Sequence, residues 1–184
     1  MYRIKTTIEG VAPILFNNWT EEAREQLDRG GNAGKKSITE REEEALHKVY
    51  RNGEGLFLPS RNLEACIVQG ARKAGLKMGR ASAAPYLEAT VLCEQRELPF
   101  GVEQPDGIHE VIGRRPPKTG GAVVIRRPYL KEGWRLSATF TVTSDNVAPD
   151  QVHQALSEGG MLAGLCDDRP RYGRFVVKEW EIIK

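Results

Sequence analysis

An α+β fold is what this sequence predicts, from three observations. Segments alternating apolar and polar residues with the period of a strand lie near both ends and in the middle of the chain. Between them are stretches with apolar residues three and four apart, the period of a helix. At 184 residues and 40% hydrophobic content the chain suffices for one core, so a single domain over 1–184 is expected.

The elements follow in order. Tyr2-Arg3-Ile4-Lys5-Thr6-Thr7-Ile8-Glu9 puts Tyr2, Ile4, Thr6 and Ile8 on one side of a half-buried strand. After Pro13-Ile14-Leu15-Phe16, residues 20–28 and 39–50 have helical character, and the link between them, with Gly30, Gly31 and Gly34, is expected to be flexible. The second of these helices carries Ala45, Leu46 and Val49 on one face, as a surface helix does. Asn52-Gly53-Glu54-Gly55 is a turn signal, followed by the short apolar stretch Leu56-Phe57-Leu58 and Pro59. Ser60 is expected to cap a helix whose apolar face is Leu63, Cys66, Ile67, Gly70, Ala71 and Ala74, with Gly75 suited to its end. Tyr86 to Cys93 is predicted as a strand. A second, cleanly alternating one runs over 134–142, with Trp134, Leu136, Ala138, Phe140 and Val142 toward the core. A helix from about Pro149 turns Val152, Ala155 and Leu156 inward, and the last strand spans Phe175 to Ile182.

Two stretches stand outside this series as insertions, 17–58 (helical, acidic) and 94–133 (a basic loop or hairpin). What is left is the βαββαβ order of a ferredoxin-like, RRM-type core. Insertions of such length in a compact domain carry function or lack fixed structure.

Charge is unevenly spread. The net charge is only +2, from 27 Lys+Arg and 25 Asp+Glu. Between Thr20 and Glu44 eight acids face five bases, whereas Arg114, Arg115, Lys118, Arg126, Arg127, Lys131 and Arg135 crowd into residues 111–135 with Glu132 the sole acid. Such asymmetry points to an anionic partner on one part of the surface. The basic insertion, with Arg114-Arg115-Pro116-Pro117-Lys118, is expected to be mobile and to clamp a single strand electrostatically. The stretch from Gly159 to Phe175 adds glycines that let backbone approach a ligand, Arg169, Arg171 and Arg174 with guanidinium forks matched to phosphate, and Tyr172 to stack on a base.

Other chemistry is less well supplied. The chain has no long apolar run, and Met1-Tyr2-Arg3-Ile4-Lys5 lacks a signal-peptide character, so a cytoplasmic protein without membrane attachment is expected. Cys66, Cys93 and Cys166 are widely spaced without a C-x-x-C pair, as buried reduced thiols are. His47, His109 and His153 are scattered, and no phosphate-binding glycine motif is present. No cofactor, metal or catalytic residue is therefore expected. The candidates for RNA cleavage are Asp106, His109 and the pair Asp167-Asp168, with turn formation and ion pairing to Arg169 and Arg171 as their structural alternatives.

Two segments carry a family resemblance. Gly55-Leu56-Phe57-Leu58-Pro59-Ser60-Arg61-Asn62-Leu63-Glu64-Ala65-Cys66 resembles the strand, proline, serine and helix entry of the RAMP superfamily of CRISPR-associated proteins. The glycine-rich stretch ending Arg171-Tyr172-Gly173-Arg174-Phe175 resembles that superfamily's segment before a final strand. The nearest type is the backbone subunit that polymerises along guide RNA; the direct Pro59-Ser60 step departs from the usual apolar-Pro-Gly-Ser-Ser, and the shorter chain suggests a minimal or phage-borne relative. The resemblance implies that Ser60, Arg61, Asn62, Arg72 and Lys73 lie near backbone phosphates, that 94–133 is a thumb-like projection, and that the protein is a homo-oligomer or a ribonucleoprotein subunit. The expected function is binding of single-stranded RNA. A phage single-stranded DNA-binding or annealing protein and an endoribonuclease are the alternatives.

Overall fold

The computed structural model describes residues 1–19, 25, 37–114 and 121–183, Arg114 by its backbone alone. Apart from Glu25, the helix expected over 20–28, the link over 29–36, and Arg115 and Lys118 lie outside the described residues. In chain order the strands are β1 (Tyr2–Gly10), β2 (Ile14–Leu15), β3 (Arg51–Asn52), β4 (Gly55–Pro59), β5 (Lys77–Met78), β6 (Ala81–Ser82), β7 (Val91–Cys93), β8 (Glu97–Pro99), β9 (Gly107–Arg114), β10 (Ala122–Leu130), β11 (Arg135–Val142) and β12 (Phe175–Ile183). The helices are α1 (Ile38–Leu46), α2 (Ser60–Lys73), α3 (Ala84–Thr90) and α4 (Pro149–Glu158), which continues into a π-helical turn, Gly159–Ala163.

An antiparallel sheet in the order β12-β1-β11-β7 is the frame. The alternation in β1 and β11 does what its period dictates: Ile4, Thr6 and Ile8, and Trp134, Leu136, Ala138, Phe140 and Val142, are all buried. The one hydroxyl among them is satisfied, since Thr6 Oγ1 donates to Glu179 O at 2.9 Å. Helices α2 and α4 share that core through Leu63, Cys66, Ile67 and Ala71 on one and Val152, Ala155 and Leu156 on the other. They approach closely because Gly70 lacks a side chain: a Cβ there would overlap Ala155 O and the Gly159 backbone.

Smaller sheets lie around this frame, β2-β10-β9, β3-β4-β8 and the hairpin β5-β6. An edge-to-face series of rings ties them to the core, from Phe16 to Phe100 (5.6 Å), to Trp134 (6.0 Å) and to Phe175 (6.3 Å).

Three expectations are corrected. Tyr86–Cys93 is not one strand: Ala84–Thr90 is helical and only Val91–Cys93 extended. Pro85 sits in the first helical turn, where its missing N–H is no loss, and Ala84, Leu87 and Val91 are buried at helical spacing while Tyr86 and Glu88 are exposed. Ser60 does not cap α2. Pro59 holds the cap position, and Ser60 is buried in the first turn with its N–H donating to Arg96 O at 3.0 Å. Within 17–58, the helix ends at Leu46 rather than at residue 50, and residues 51–59 form the hairpin and strand β3-β4 around the Gly53-Glu54 turn. In 94–133, the stretch expected as a basic loop or hairpin, β9 and β10 pair from Gly107–Tyr129 to Arg114–Ala122 as a two-stranded ribbon.

Candidate nucleic-acid interface

The glycine-rich segment is built differently from its sequence expectation. Gly159, Gly160, Gly164 and Gly173 are buried, and each is pressed against the protein's own backbone rather than open to a ligand. A Cβ on Gly173, whose φ is +71°, would overlap Leu165 O; one on Gly160 would overlap Phe175 O. The packing fixes the segment. Leu165 N–H donates to Gly173 O (3.0 Å), Tyr172 N–H to Asp168 O (3.2 Å), and Gly173 N–H to Pro13 O (2.8 Å), while Val11 N–H donates to Arg174 O (2.9 Å).

On this tethered backbone Arg169, Arg171 and Arg174 are exposed, and none of their guanidinium groups has a hydrogen-bond or ion-pair partner among the described residues. Other candidate arginines are committed. Arg126 pairs with Glu110 across the ribbon, and Arg127 with Asp167, both guanidinium side chains being only 13% exposed. Asp167 therefore pairs with the ribbon and not with Arg169 or Arg171, because the isolated bridge from Leu15 to Asp167 and the pairing of Leu15 with Tyr129 bring β10 alongside it.

The two resemblance-bearing segments meet where Gly159 packs on Cys66 and again at a small cavity. Asn62, in the first turn of α2, and Cys166 and Asp167 line a polar cavity of about 130 Å³ together with Asn17 and Tyr50. Arg61 is exposed and instead lines the groove between α2 and α3 with Glu64, Arg72 and Glu88. Arg72 and Lys73 stand at the other end of α2, about 18 Å along its axis at 1.5 Å per residue. There Arg72 donates to Glu88 (3.2 Å) and Lys73 to Leu162 O (2.7 Å), which satisfies a carbonyl of the π-helical turn. Arg114 lies at the far end of the ribbon opposite Ala122.

Three of the four candidates for cleavage chemistry, Asp106, His109 and Asp167, have side-chain partners. Asp106 accepts from Lys131 N–H at 2.7 Å and closes the turn at the base of the ribbon. His109 Nε2 lies 3.4 Å from the Tyr172 hydroxyl, and the two rings are 5.2 Å apart. Among the described residues no group of three His, Cys, Asp or Glu is placed to hold a metal ion. Burial pushes the thiols of Cys66 and Cys166 up to about 12 and that of Cys93 to about 11, so all three are protonated at neutral pH.

The sheet face opposite the helices presents Arg3, Lys5, Thr7, Glu9, Arg135, Ser137, Thr139 and Thr141. Arg3 pairs with Glu94, and Arg135 and Lys178 both pair with Glu9, while Lys5 has no ion pair among the described residues. No aromatic residue of β1 or β11 points that way. Stacking of bases on the sheet, the habit of RRM domains, has no platform on these two strands.

Asn17, Tyr50 and Tyr129 belong to these sites without having stood out in the sequence. Each is a single polar or aromatic residue in a short connection or strand, and only the pairing of β2, β4 and β10 brings it to the glycine-rich segment.

No protein-family model matches the chain, and no curated protein matches it in sequence. Among solved structures it is similar to a chain in the cryo-EM structure of the Type III-B Cmr-beta bound to cognate target RNA. The TM-score is 0.61 at 9% identity, covering 100% of this chain and 61% of that one. The likeness is one of fold. Among the described residues no helix is long and apolar enough to cross a membrane.

Proposed function

We propose that this chain binds single-stranded RNA through its backbone phosphates, as a non-enzymatic RAMP-type subunit of a ribonucleoprotein complex with a ferredoxin-like core. The observation that carries the reading is the set Arg169, Arg171 and Arg174, exposed and unpaired on a backbone held by hydrogen bonds to the start of the chain. Unpaired guanidinium forks on a rigid support bind phosphate without first breaking an ion pair or ordering a loop. Strand order supports the core assignment, since by position in the βαββαβ series the sheet runs fourth, first, third, second. The fold likeness to a chain of an RNA-bound complex supports the RNA and assembly parts. The partners already held by Asp106, His109 and Asp167 favour a binding over a cleaving role.

The test is a salt titration of binding to a labelled single-stranded RNA. Arg169→Ala, Arg171→Ala and Arg174→Ala together are expected to weaken binding and to flatten the log–log salt dependence by about 0.7 per lost phosphate contact, roughly two in all. An unchanged slope in a folded variant sinks the proposal. A DNA strand of the same sequence serves as competitor, and its preference over RNA would favour a single-stranded DNA-binding role.

A further inference from the structure

Next to Arg171, through its neighbour Tyr172, is a cleft that phosphate binding does not use. It holds about 350 Å³, at the lower end of the roughly 300–1,000 Å³ typical of small-molecule sites, and is lined by Pro13, Leu15, Ile108, His109, Tyr129 and Tyr172, with Glu110 at its edge. Three elements build it. Ribbon pairing places His109 and Tyr129 on the same face of β9-β10, next to Arg127. Tyr129 lies across Gly107, where a Cβ would come within 3.1 Å of its ring. Tyr172, held by the hydrogen bonds of the glycine-rich segment, completes the lining, its ring in tilted contact with that of His109 at 5.2 Å and 55°. Neither the Tyr129 hydroxyl nor the second ring nitrogen of His109 has a partner among the described residues.

We infer that this cleft is a slot for one unstacked nucleobase of the bound strand. The inference rests on the RNA-binding reading and adds a base-directed contact to it. Flat aromatic walls suit a π-face, the free hydroxyl and ring nitrogen suit the polar edge of a base, and Arg171 and Arg174, which flank Tyr172 in sequence, supply positive charge for the phosphates on either side of it. Glu110 is neutralised by Arg126 and so does not repel the strand. The contact is independent of salt, because a base carries no charge to neutralise.

The experiment compares a single-stranded RNA with one of equal length and phosphate number whose internal bases are removed. The wild-type protein is expected to bind the abasic strand about tenfold more weakly, with the same salt slope, from the loss of one base–aromatic stack. Tyr172→Leu and Tyr129→Leu are each expected to shrink that difference without changing the slope. Photocrosslinking of 4-thiouridine RNA to the wild-type chain gives a readout that needs no variant, with adducts expected on the peptides holding Tyr129 or Tyr172. Equal binding of the two strands, or adducts confined to other peptides, overturns the slot while leaving phosphate binding intact. Failure to bind either strand overturns the RNA reading and the slot with it.

Discussion

Glu94 shows how single residues tune this protein. Its carboxylate accepts two hydrogen bonds from Arg3 at 2.6 Å and one from Thr141 at 2.7 Å. The bond to Arg3 above all, then that to Thr141, holds its pKa down to about 2 from 4.5. A carboxylate depressed in the folded state stabilises it above the unfolded pKa, and that contribution is lost as pH falls from 4.5 toward 2. The urea midpoint is therefore expected to fall over this window, and less steeply in Glu94→Gln; equal slopes would refute the assignment. The residual slope belongs partly to Glu9, lowered by Lys178 and Arg135. Both groups are solvent-accessible, so the effect is modest and shrinks with salt. At this scale the sequence was legible for residue type and not for partner. Arg126, Arg127, Arg169, Arg171 and Arg174 look alike as arginines in basic stretches, yet the side chains of the last three have no partner among the described residues, whereas Glu110 and Asp167 reach the first two through strand pairing.

Among the elements, helix α2 is placed by glycine as much as by its apolar face. Gly70→Ala would gain roughly 1 kcal/mol of helix propensity, but the new methyl overlaps backbone atoms of Ala155 and Gly159 that no side-chain rotation can clear. Overpacking of this kind costs about 1–3 kcal/mol, so a net loss of up to about 2 kcal/mol is expected in urea unfolding. Gly53→Ala, in a turn with nothing within 4 Å of the added atom, serves as the control and is expected to stay within about 0.5 kcal/mol of wild type. Periodicity served well for the long elements: the alternation of 134–142 and the three- and four-residue spacing of 60–74 both describe what is buried. It failed for 84–93, where seven residues of helix run straight into three of strand, too few of either for a period to be distinct.

For the whole molecule, charge is separated along the sequence, while the fold sets the acidic helix α1 against the ribbon β9-β10. Glu42 and Glu43 are exposed on α1, away in sequence from the free arginines of the glycine-rich segment. If copies assemble along RNA by meeting acidic with basic surface, sedimentation should show mass rising in steps of one chain as the strand is lengthened, and the steps should vanish at high salt. A monomer both with and without RNA would remove assembly from the proposed function. What the sequence determined by itself was the α+β class, most of the faces that fill the core, and a basic stretch paired with a glycine- and arginine-rich one. These are local properties, written in the spacing of a few neighbouring residues. Tertiary structure alone decided that the glycines pack the protein's own backbone, that Arg126 and Arg127 are spent on carboxylates, and that Tyr129, His109 and Tyr172 wall one cleft. Most of these depend on segments distant in the chain, Arg127 and Asp167 by 40 residues and His109 and Tyr172 by 63, being brought together by sheet register and core packing, which no local pattern encodes.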